Sequence, residues 1–131
     1  MKIALLSLVT ILSLSSFALA DATAVLGKWT AQEGDGDFSI KMNVNIELQQ
    51  VTFANTCIYK NQSVTASVTV PAQITDKQII TSSAANQSLP IPGSTANCSV
   101  AIKVQTFDYS FNGQSLVLQT AGQETELQRA P

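Results

Sequence analysis

The chain has 131 residues, 45% of them hydrophobic and only 12% charged, with a formal net charge of −2. That length holds one small core, and a mildly acidic balance without Lys or Arg clusters excludes nucleic acid and anionic membranes as partners. Histidine is absent, which removes Ser-His-Asp and Cys-His nucleophile machinery and most zinc hydrolase sites.

Residues 1–20, MKIALLSLVTILSLSSFALA, combine a lysine at position 2, an apolar stretch and small residues Ala18 and Ala20 around a leucine. This is the layout of a secretory signal peptide cleaved after Ala20. The apolar stretch is shorter than the roughly 20 residues a spanning helix needs, and no cysteine follows the cleavage position to carry a lipid. The expectation is an exported chain, periplasmic or extracellular, with one domain over residues 21–131 and no membrane anchor after cleavage.

From there on the chain is rich in Val, Ile, Thr and Ser between turn residues, a composition that favours strands. A first strand opens at Val25-Leu26-Gly27-Lys28-Trp29-Thr30, which holds the only tryptophan. The acidic stretch Glu33-Gly34-Asp35-Gly36-Asp37 offers hard oxygen ligands at alternate positions but lacks the glutamate that completes an EF-hand loop. It is read as a glycine turn kept soluble by charge, and no metal is expected. Over residues 38–48 apolar side chains occupy every even position and polar ones every odd position, the signature of a half-buried strand.

Val64, Ala66, Val68 and Val70 alternate with Ser and Thr up to Pro71, where a strand is expected to end for want of a donor. Asp76-Lys77 reads as a tight turn between Ile74 and Ile79. Residues 82–97, with two prolines and many small polar residues, read as one long loop. Cys98, Val100, Ile102 and Val104 form another inward row, and its parity would carry Asp108 inward unless a bulge or strand end intervenes. Asn112-Gly113 predicts a type I′ hairpin turn, Ala121-Gly122 a further turn, and the last strand runs over 124–129. In an exported protein the lone pair Cys57 and Cys98 is expected to form a disulfide; two thiols without histidine do not complete a zinc site. About eight or nine strands without a helix imply an all-β fold, an antiparallel up-and-down β-barrel or a small sandwich.

"LGKW" opening the first strand and "TELQR" in the last resemble the lipocalin and fatty-acid-binding-protein superfamily, most of all its small bacterial lipocalin-like domains. The resemblance implies a barrel whose closed end is formed by Gly27 and Trp29, with Arg129 laid over the indole. It also implies non-covalent binding of a small apolar or amphipathic molecule inside the barrel. The row Phe38, Ile40, Met42, Val44 and Ile46 is the expected lining, with no cofactor. The alternative is an interaction or inhibitor protein that engages an envelope partner through loop 82–97, where Leu89 and Ile91 are held by prolines. Paired carboxylates are the one catalytic option left. Glu47, Asp76, Asp108, Glu124 and Glu126 fall mostly on polar faces or turns where solvated carboxylates need no further role, so no catalytic residue is assigned and no enzyme is expected.

Overall fold

A computed structural model describes residues 23–131; the leader at 1–20 lies outside the described residues. Strand follows strand: β1 (Gly27–Asp35), β2 (Phe38–Ile46), β3 (Gln50–Tyr59), β4 (Gln62–Ile74), β5 (Gln78–Thr81), β6 (Ala85–Pro90), β7 (Asn97–Ile102), β8 (Thr106–Asn112), β9 (Ser115–Thr120) and β10 (Gln123–Arg129). Eight of them close into an antiparallel ring in the order β1-β10-β9-β8-β5-β4-β3-β2, and β6 and β7 form a separate two-stranded hairpin.

The local chemistry explains the meander. Tyr59 faces Gln62 across a two-residue loop, and Lys60 and Asn61 both have positive φ (48° and 70°). That is the type I′ requirement, whose twist matches the flanking strands. Ala121 (φ 44°) and Gly122 (φ 82°) do the same between Thr120 and Gln123. The Asn112 hairpin is shifted by one residue from expectation. Asn112 pairs with Ser115, so the loop is Gly113-Gln114, with Gly113 at φ 64°. A glycine at the first central position is the type II′ arrangement.

Two half-sheets make up the ring. The first runs β1-β2-β3-β4 in continuous register, with Val44 opposite Phe53 and Phe53 opposite Val68. The second runs β5-β8-β9-β10, with Ile79 opposite Phe107 and Tyr109 opposite Leu118. Each strand sends alternate residues inward, and the two inner faces meet at Phe53 and Phe107, whose rings lie 5.7 Å apart. The outer face of the first half-sheet is hydroxyl-rich, and cross-strand pairs Thr52–Thr69 and Thr56–Thr65 bond at 2.8 Å.

The half-sheets join at two seams. Pro71 stands opposite Gln50 on β3, whereas Ala72 stands opposite Thr81 on β5. The proline therefore does not end β4, as its missing donor suggested, but marks where that strand changes partners. At the other seam β1 meets β10 at Trp29 opposite Arg129 and Thr30 opposite Gln128.

Residues 82–97 are not one long loop. They contribute β6, a turn and the first residue of β7, with Leu89 opposite Cys98 and Gln87 opposite Val100. The polar, proline-containing composition hid the hairpin because its strands are paired and packed on β3 and β4 instead of carrying a regular apolar face. Cys98 is bonded to Cys57 on β3 across a sequence separation of 41, and Asn55 Nδ2 donates to Ser99 O at 2.8 Å. Cys57 shares the inward parity of Phe53, so the bridge draws the hairpin over the open end of the ring.

Candidate functional site

One end of the ring is capped by packing, with a hollow of about 340 Å³ beside the cap, bordered by Ala24, Trp29, Phe111 and Arg129. A helical turn at residues 23–25 precedes β1, and the indole Nε1 of Trp29 donates to Val25 O at 2.9 Å. Trp29 is 2% exposed. The Arg129 guanidinium lies 4.0 Å from the indole ring centroid and donates to Leu26 O (2.7 Å) and Ala24 O (3.0 Å). One cation thus satisfies one carbonyl of the helical turn and one just after it, and stacks on an aromatic face. Gly27 makes room for it: its φ is +117°, and a Cβ there would stand 2.7 Å from Arg129 Nη1.

Gly27→Ala is expected to cost about 1–3 kcal/mol through backbone strain and the displaced guanidinium. Urea unfolding of Gly27→Ala, Arg129→Ala and the double variant checks this. The arginine change should cost clearly less in the alanine background than alone, because the contact is already displaced; strict additivity would refute the coupling.

The other end holds open space. A cavity of about 230 Å³ lies between the half-sheets, lined by Met42, Phe53, Phe107, Leu118, Thr125 and, from the hairpin side, Ile102. Gln105, Thr120 and Gln123 stand at its rim beside Ala101. A second hollow of about 320 Å³ occupies the seam between β1 and β10, over Ala31, Ile40 and Met42, with Glu33, Glu124 and Glu126 around it. Met42 and Thr125 line both spaces.

The row Phe38, Ile40, Met42, Val44 and Ile46 is divided by depth. Val44 and Ile46 are fully buried in the closed end, Val44 opposite Trp29. Met42 faces both hollows, and Ile40 the seam. Phe38 is half-buried beside Ile40 at the β1–β2 tip. Period-two alternation reveals which face of a strand turns inward, but not how far along the ring that face remains packed. No pattern in the sequence sets Phe53, Phe107 and Leu118 apart as lining; only contact across the ring distinguishes them from ordinary core.

The structure corrects the readings of Leu89, Ile91 and Val104 and decides the one left open at Asp108. Ile91 is 1% exposed and Leu89 half-buried, so the hairpin tip does not present the apolar pair that insertion into a partner cleft needs. Val104 is 65% exposed, because residues 103–105 leave the strand between β7 and β8. That break resets the parity: Phe107 and Tyr109 turn inward, and Asp108 turns outward to accept from Gln78 Nε2 at 2.9 Å. The break is held by Thr81, fully buried, whose Oγ1 donates to Lys103 O (2.7 Å) and accepts from Gln105 N (3.0 Å).

Among the described residues no group of three or more His, Cys, Asp or Glu side chains could hold a metal ion, and no helix is long and apolar enough to cross a membrane. No family model, no curated protein and no solved structure matches the chain.

Proposed function

We propose that the chain is an exported, lipocalin-like binding protein that holds a small apolar or amphipathic molecule non-covalently inside an up-and-down barrel. The observation that carries this reading is the asymmetry of the two ends. One is closed by the Trp29–Arg129 stack, and the other keeps an apolar space under a hairpin tied to the wall by a disulfide. An apolar cavity of about 150 Å³ is enough for benzene, so the space of about 230 Å³ accommodates a guest somewhat larger than one ring. Gln105, Thr120 and Gln123 at the rim give such a guest polar partners for one end and aromatic walls for the rest. The leader, the disulfide and the closed-end motif fit together in an oxidising compartment.

Native mass spectrometry of protein purified from its own host, followed by organic extraction, is the direct test. A stoichiometric small molecule is expected to leave on extraction. Leu118→Trp, which fills the cavity, is expected to lower its occupancy at least about tenfold, while the outward-facing Lys41→Trp leaves it unchanged. A clean apo mass, together with equal binding of a fluorescent fatty-acid analogue by wild type and Leu118→Trp, would overturn the reading.

A further inference from the structure

The two seams between the half-sheets are alike in construction and unlike in content. At the first, β5 covers only residues 72–74 of the 13-residue β4. The rest of that edge is covered by the chain's own hairpin, where the Ser67 N–H donates to Gln87 Oε1 at 2.8 Å. At the second, β1 and β10 pair through Trp29–Arg129 and Thr30–Gln128 and then part. Residues 31–35 continue to pair with β2, and residues 123–127 with β9, but not with each other. No described residue fills the gap.

Main-chain direction follows from the ladder. Ala130 N donates to Lys28 O at 2.9 Å, so the even residues of β1 turn their N–H and C=O groups toward β10. Past the fork those groups belong to Gln32 and Gly34 on one lip and to Glu126 and Glu124 on the other. Two facing strand edges whose hydrogen-bonding groups meet no partner among the described residues form a template for another strand. Beneath them lies the hollow of about 320 Å³ over Ala31, Ile40 and Met42, an apolar floor for the inward side chains of such a strand.

Charge selects the occupant. Both lips are acidic, with exposed Glu33 and Asp35 on β1 and exposed Glu124 and Glu126 on β10; Glu126 also accepts from Asn112 Nδ2 at 3.2 Å. A second copy of this chain would bring like charge against like, which is how natural edges discourage self-pairing. A segment with alternating basic and apolar residues would neutralise the lips while seating its apolar side on the floor. We propose that the β1–β10 seam binds an extended basic segment of a partner protein as an added strand. This does not depend on the cavity reading: the seam lies beside the cavity and shares only the walls Met42 and Thr125 with it.

The test titrates isotope-labelled mature protein with a synthetic peptide alternating lysine and valine. Saturable amide shifts are expected at residues 31–35 and 123–127, with slowed hydrogen exchange at Gln32, Gly34, Glu124 and Glu126. Proline at the peptide's valine positions should abolish both effects, because it removes the pairing donors, and a glutamate–valine peptide should fail to bind. The double variant Glu124→Lys/Glu126→Lys should weaken binding by about tenfold, its amide spectrum away from the seam showing that the ring is intact. Absence of saturable change at the seam, shifts spread over the acidic surface generally, or binding that survives proline substitution would each overturn the proposal.

Discussion

Trp29→Ala is expected to be the most damaging single substitution in this chain, lowering the free energy of unfolding by about 3–5 kcal/mol. The indole is nearly fully buried, packs 6.1 Å from the Phe111 ring and opposes Val44 across the β1–β2 ladder. Truncation therefore removes a large apolar volume where neighbouring strands fix the walls and limit collapse. It also strands Val25 O, which receives the indole N–H, and takes away the aromatic face under Arg129. For a domain of this size total stability is about 5–15 kcal/mol, so the variant will lie near the edge of folding. Trp29→Phe separates the contributions: it keeps most of the apolar area but loses the hydrogen bond, and should cost about 1–3 kcal/mol. Equilibrium unfolding in urea measures both. A Trp29→Ala midpoint close to wild type would mean that the closed end is not the keystone of the ring.

Removing the disulfide is the second large expected effect. Replacing Cys57 and Cys98 together by alanine frees a loop spanning 41 positions, and the chain-entropy relation gives a loss of about 4 kcal/mol. Both cysteines are buried, so paired alanine substitution avoids leaving a lone reactive thiol inside the molecule. The folded consequence should be local. The hairpin would keep Asn55 to Ser99, Ser67 to Gln87 and the Thr81 anchor, and the ring would keep its closed end. Protection of amides that exchange by global unfolding, residues 44–53 among them, is expected to fall by the full loss of stability, and residues 85–102 are expected to gain additional local opening on top of it. Unchanged core protection together with a negligible change in stability would count against the entropic account.

Much of the architecture was legible in the chain. The alternation over residues 38–48 and 64–70 marked inward faces correctly because a half-buried strand has a period of two, although the chain leaves β2 at Ile46 and Leu48 ends 71% exposed. Asp76-Lys77 was legible as a turn, and Thr75 closes it by accepting from Gln78 N at 2.9 Å. What escaped was governed by distant partners. Pro71 reads locally as a strand end, but β5 arrives on its far side and prolongs β4. Leu89 and Ile91 read as an exposed apolar tip, yet the Cys57–Cys98 bridge carries their hairpin onto the wall and buries Ile91. Asp108, whose direction the sequence left open between inward parity and a break, turns outward because residues 103–105 interrupt the run. The candidate cavity escaped for the same reason: it belongs to no strand, only to the distance between two half-sheets.

The joining of the first strand to the last also bears on how the molecule forms. Hairpins such as β2–β3 and β3–β4 meet across short loops, whereas the contacts of Arg129 with Leu26 and Ala24 span sequence separations of 103 and 105. Loop closure of that length costs entropy before any contact repays it, and non-local topology of this kind slows folding. The half-sheet built from β1 to β4 can zip from neighbour to neighbour, but it has no closed end until β10 arrives. Until then Trp29 lacks its cation and the underside of the first half-sheet stays wet, so the last strand acts as the latch that turns a curved sheet into a closed ring.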